Sequence, residues 1–115
     1  MVGNVYISNA FSLNMLPEIV KECTIHIKEA TLEEVKEILN TDLEIISAVG
    51  HQSTATVLSE LLEREIPANR IPITLTSDDI LIVFQLLVRL EEGKVLTKEE
   101  IKQLKYKFFV IEIKY

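Results

Sequence analysis

The chain has 115 residues, with 12 Lys or Arg against 18 Asp or Glu, a formal charge of −6. One domain spanning residues 1–115 is expected at this length, and 48% apolar residues with only three Gly and three Pro exclude a disordered chain. The negative balance argues against binding of long nucleic acid, which takes a basic face to displace counterions.

Val5, Tyr6 and Ile7 open a short β-type run that breaks at Ser8-Asn9. Residues 11–16 are stopped by Pro17, which limits them to one or two helical turns. Cys23, Ile25 and Ile27 alternate with Thr24, His26 and Lys28, the period of a half-buried strand. Thr31-Leu32-Glu33-Glu34 is a capping box, and Leu32, Val35, Ile38 and Leu39 share one stripe, predicting a helix over Leu32–Leu39. Residues 42–47 read as a short strand or an extended connection.

A helix is expected just after Gly50, capped by Ser53 or Thr54 and burying Val57, Leu58, Leu61 and Leu62. Residues 67–70 form a loop; Ile71, Ile73 and Leu75 then alternate as a strand, and Ser77-Asp78-Asp79 makes a turn. The apolar run that follows is ambiguous by period, and the strand is preferred because the turn suits a hairpin and Ile, Val and Phe favour sheet. As a strand it places Leu81, Val83, Gln85, Leu87 and Arg89 on one face. Thr97-Lys98-Glu99-Glu100 is a second capping box starting a helix, and residues 108–115 read as a last strand. Helices interleaved with strands give one α/β domain with a mixed β-sheet and flanking helices.

Residues 80–88, the longest apolar stretch, include Gln85 and fall far short of the roughly 20 residues of a membrane helix, so no membrane contact is expected. The first residues lack a basic region followed by an apolar run, and a cytoplasmic location is expected. One cysteine and two histidines without ligand spacing argue against a dedicated metal site.

His51 stands out within Gly50-His51-Gln52-Ser53-Thr54. An imidazole, two hydroxyls and the free N–H groups of a helix start make either an anion site or an ordinary capping segment. His26, mid-strand and without such neighbours, reads as a surface or structural residue. Arg89, at the end of the apolar strand and on the face of Gln85, suits either a bidentate phosphate contact or an edge ion pair. Asn69-Arg70 and the stretch from Ser8-Asn9 to Ser12 are polar insertions at strand boundaries. The pairs Glu33-Glu34 and Glu99-Glu100 complement helix dipoles, which leaves Glu92 as the one acid with a candidate role.

Four ordered segments carry a resemblance: Asn9-Ala-Phe-Ser-Leu-Asn-Met-Leu16, Gly50-His-Gln-Ser-Thr54, Asn69-Arg70 and Arg89-Leu-Glu-Glu-Gly-Lys-Val-Leu96. In that order they resemble the viral ring nuclease family, the type III anti-CRISPR ring nucleases. The resemblance implies an enzyme that works without metal or cofactor and cleaves cyclic tetra-adenylate, the second messenger of type III CRISPR defence, in the host cytoplasm if the chain is viral. By that resemblance His51, Arg89 and Glu92 match catalytic positions, while Asn9, Ser12, Ser53, Arg70 and Gln85 match ligand-contacting ones. Gln52 departs from the pattern, since the family often has an acid after the histidine.

The resemblance also implies a homodimer with the ring bound across the two-fold axis, a geometry that offers equivalent donors to opposite phosphates. Two other classes remain as expectations to be separated by experiment. One is a non-hydrolytic sponge for cyclic oligoadenylates; the other is a structural or regulatory protein that recruits a partner through its acidic surface.

Overall fold

Alternation at Val5 and Ile7, both fully buried, marks the first strand as an interior strand of a sheet. In the computed structural model, which describes residues 3–88 and 96–115, five strands and three helices follow one another along the chain. They are β1 (Asn4–Ser8), β2 (Thr24–Ala30), α1 (Leu32–Leu39), β3 (Glu44–Ser47), α2 (Gln52–Leu62), β4 (Ile80–Leu86), α3 (Lys98–Lys102) and β5 (Tyr106–Lys114). The sheet order is β2-β5-β4-β1-β3. β1 runs parallel to both β3 and β4, while β5 is antiparallel to β4 and β2. This is the α/β domain with a mixed sheet that the element pattern predicts.

Both capping boxes form as read. Thr31 accepts from the Glu34 N–H at 3.1 Å and Glu34 returns the bond to the Thr31 N–H at 3.1 Å; Thr97 and Glu100 repeat the exchange. Each satisfies two otherwise orphaned donors at a helix start. The predicted bounds of α1 are the observed ones.

Even-numbered side chains of β4 and odd-numbered ones of β1 share a face, because Val5 pairs with Ile80 and Ile7 with Ile82. On that face Val5, Ile7, Ile82, Phe84 and Phe108 meet Val35 and Leu39 of α1, Ala55, Leu58 and Leu62 of α2, and Ile101 of α3. Phe84, Tyr106 and Phe108 pack as an aromatic trio with ring centroids 5.1–5.6 Å apart. The opposite face carries Leu81, Val83, Ile111 and Ile113, covered by Ile73 and Leu75 and by Phe11, Met15 and Leu16.

Three sequence expectations are corrected here. Residues 71–75 bury Ile73 and Leu75 by alternation but join no ladder; the segment lies across the sheet rather than in it, tied by the Leu75 N–H to the Met15 carbonyl at 2.7 Å. The turn before β4 therefore closes no hairpin, and β4 finds its partners in β1 and β5. What the turn does instead is hold Asp79, which is buried and accepts from Asn4 N–H (2.8 Å), Thr76 N–H (2.8 Å) and Thr76 Oγ1 (3.1 Å). The third correction concerns β2: Ile25 is half-buried but Ile27 is 56% exposed, because the covering segments stop short of it.

Candidate functional site

Register alone brings the candidate residues to one end of the sheet. Ile7 lies beside Ser47 and Ser8 beside Val83, so Asn9, Gly50-His51 and Gln85 all emerge at the carboxyl ends of the parallel strands β1, β3 and β4. That end is where ligands bind in open α/β sheets, since chain turns there carry polar groups over a rigid scaffold.

β3 continues past Ser47 to a parallel bridge between Val49 and Ala68, so the loop after α2 returns alongside it. His51 then caps α2 with extended backbone (φ −130°, ψ 133°), and its carbonyl accepts the first helical bond from Ala55 N–H at 3.0 Å. The expected cap at Ser53 or Thr54 is thus displaced to His51; Ser53 lies in the first turn and Thr54 is buried. The His51 side chain makes no capping bond, and the residue is exposed, so no side chain of the N-cap satisfies the first helical N–H groups.

Contacts join the segments. The Gly50 N–H donates a long hydrogen bond to Asn9 Oδ1 at 3.5 Å. Arg70 Nη2 donates to the carbonyl of Gly50, the residue before His51, at 3.4 Å. Gly50 itself is not demanded by sterics, because a Cβ there would stand 3.6 Å from Arg70 Nε, an ordinary contact.

Asn9 and Gln85 line an open cleft of about 500 Å³ with Ala10, Phe11, Ile27, Val83, Phe109 and Ile111. Its apolar floor is the uncovered part of the sheet, and its two amides supply donors and acceptors. Ser12 caps the 3-10 turn Leu13–Met15 by accepting from Asn14 N–H at 3.2 Å. Among the described residues neither Ser12 nor Ser53 is hydrogen-bonded to the other candidates. The structure therefore joins Asn9 and Arg70 by hydrogen bonds to Gly50, the residue before His51, and joins Gln85 to Asn9 through the cleft. Arg89 and Glu92 lie outside the described residues. So does most of the segment carrying the fourth motif.

Two residues of this neighbourhood have roles that sequence reasoning does not supply. Ser47, buried at the end of β3, donates to the Pro67 carbonyl at 2.6 Å, and Asn69 Nδ2 donates to the Ser47 carbonyl at 2.8 Å. Their partners are backbone carbonyls about 20 residues away, which no local pattern announces. Among the described residues no three His, Cys, Asp or Glu side chains gather as a metal site, and no helix is long and apolar enough to cross a membrane.

Comparison with known proteins adds the lineage. A family model described as STIV B116-like matches residues 5–108. The chain belongs to that family. Among B116-like proteins it is similar to B116 of Sulfolobus turreted icosahedral virus, a solved structure superposing with a TM-score of 0.82 at 33% identity and covering 96% of this chain and 99% of that one. It is 46% identical over 109 residues to uncharacterized protein 26 of Sulfolobus islandicus filamentous virus, covering 94% of this chain and 90% of the relative. A bacterial relative, uncharacterized protein YddF of Bacillus subtilis, is 33% identical over 73% of this chain and 79% of its own.

Proposed function

We propose that this B116-like chain is a metal-independent ring nuclease that cleaves cyclic tetra-adenylate into linear di-adenylate products. The observation that supports the reading is that the Arg70 guanidinium and the Asn9 amide both bond Gly50, the residue directly before the exposed His51, at one strand end. Asn9, His51 and Arg70 all belong to the ordered motifs of the ring nuclease resemblance. On this reading the chain acts in the cytoplasm of a host that makes such a messenger.

The chemistry needs no nucleophile from the protein. A ribose 2′-hydroxyl attacks the adjacent phosphorus in line, forming the O2′–P bond as the P–O5′ bond breaks. The hydroxyl proton leaves to solvent, and protonated His51 gives its proton to the departing 5′-oxygen. Arg70 and the α2 N–H groups hold the phosphates, and fixed geometry supplies much of the remaining acceleration. Arg89 is assigned the developing phosphoryl charge, and Glu92 the orientation of His51 or of an arginine, from the motif alone. Gln52 does not take that orienting role: its Nε2 donates to Thr56 Oγ1 at 3.2 Å, along α2.

A ring of four identical nucleotides presents equivalent phosphates to a homodimer, and two cuts give two equal halves. Exposed apolar side chains flank the candidate residues in sequence, Leu13 beside Ser12, Ile71 beside Arg70, and Leu87 shortly after Gln85. The acidic balance of the chain discourages long polynucleotides while a small ring reaches a local cationic group.

The test is incubation with cyclic tetra-adenylate in EDTA, followed by mass analysis. Wild type is expected to yield linear di-adenylate, and His51→Ala to bind the ring but cleave it roughly 10²–10⁴-fold more slowly, the usual share of general acid catalysis. Unchanged ring with binding retained by wild type would make the chain a non-hydrolytic sponge instead, and absence of binding would remove both readings.

A further inference from the structure

Arg70 is exposed, and its side chain is of the flexible kind that costs most entropy to fix. Its recorded contact is a 3.4 Å bond to the Gly50 carbonyl, which is long for a guanidinium donor. A bond that weak does not hold such a side chain by itself, so its backbone has to be held. The residues immediately before it supply that hold. Asn69 donates twice, Nδ2 to the Ser47 carbonyl and N–H to the Val49 carbonyl, both at 2.8 Å. Ser47 Oγ donates in the opposite sense to Pro67 at 2.6 Å. Three short bonds thereby fasten residues 67–69 to Ser47, the last residue of β3, and to Val49, which directly precedes Gly50.

We propose that Asn69 is a positioning residue whose clasp on the end of β3 presents the Arg70 guanidinium beside His51. The side-chain chemistry is specific. The Ser47 carbonyl takes a donor, which the Asn69 amide has; an aspartate of the same shape would set acceptor against acceptor. The clasp orders the cation before any phosphate arrives, so less freedom is lost on binding. For its ligand the inference rests on the ring nuclease reading, whereas the clasp itself is a property of the free chain.

A double-mutant cycle on the full chain, with two readouts, tests this. In the free protein, ¹⁵N relaxation of the Arg70 Nε–H group is expected to report an ordered side chain that becomes mobile in Asn69→Ala, with the fold retained by circular dichroism. Should Asn69→Ala unfold, Asn69→Asp keeps the shape and replaces the amide donor with a carboxylate acceptor. The second readout is the Kd for cyclic tetra-adenylate by calorimetry. Asn69→Ala and Arg70→Ala should each weaken binding about tenfold, the scale of one charge-assisted hydrogen bond, and the double variant should be no weaker than Arg70→Ala alone. Additive losses of about a hundredfold, or an Arg70 Nε–H group equally ordered without the Asn69 amide, would overturn the proposal. If wild type fails to bind the ring, the ring nuclease reading falls, and the relaxation measurement still decides the clasp.

Discussion

The two faces of one sheet are covered in different ways. On one, three helices lie over Val5, Ile7, Ile82, Phe84 and Phe108, each at most 1% exposed. On the other, Leu81, Val83, Ile111 and Ile113 are roofed by irregular backbone around Phe11, Met15, Ile73 and Leu75. Helices cover a sheet evenly because their apolar stripes repeat along their length. Irregular segments cover only as far as their few apolar side chains reach, which leaves Ile27 and Gln85 open. The molecule thus keeps its stability on the helical face and an apolar cleft with polar rims on the other.

Phe84→Ala gives the largest expected effect on that division. Removing a ring buried to 1% exposure inside the aromatic trio should cost about 3–5 kcal/mol in urea unfolding. The proposed cleavage of cyclic tetra-adenylate, per folded molecule, should be unchanged; a matching loss of turnover would mean that the two faces are not separable. Asp79→Ala probes the irregular roof. Three donors from Asn4 and Thr76 lose their acceptor, for an expected loss of about 1–3 kcal/mol. Hydrogen exchange should quicken first at Leu75, whose N–H bonds Met15 at 2.7 Å, and equal quickening in α2 would blur the distinction.

The smallest effect belongs to the helical face. The Glu34 carboxyl is held below the usual carboxylate range by the Thr31 backbone N–H first and by Lys28 second. A lowered folded pKa means that the charged form is favoured by folding, so its contribution is present above the unfolded value of 4.5 and fades as pH falls through the folded one. Glu34→Gln should therefore lower Tm slightly at neutral pH, and the difference from wild type should vanish under acid conditions. A difference that grew on acidification would contradict the assigned cause.

The legible parts of the fold were local. The two capping boxes announced α1 and α3, because both partners of each exchange lie within four residues. β4 was readable from its composition, yet its neighbours were not, since its parallel partner β1 is some 75 residues away in the chain. Residues 71–75 alternate like a strand because two of their side chains point into a core, and that requirement is the same for a roof as for a ladder. At the site, Asn9, His51 and Arg70 were recognisable within motifs, and Gln85 by its place on one face of the apolar run. Asn69 appeared beside Arg70 in a polar insertion and motif with no role of its own, and Ser47 as the end of a strand. Their roles run through distant carbonyls, and carbonyls carry no sequence signature.

The place of β5 has a consequence for how the protein is made. It lies between β2 and β4 although every other strand precedes it in the chain. During synthesis β1, β3 and β4 can pair as soon as they leave the ribosome, while β2, already exposed, waits for residues 106–114. Its partner rows, from Thr24 opposite Lys114 to Ala30 opposite Phe108, do not exist until then. Nascent chains halted before residue 106 should therefore carry an unpaired β2 carrying Ile25 and Ile27, a surface that trigger factors and other holding chaperones recognise, and release should coincide with arrival of the last strand.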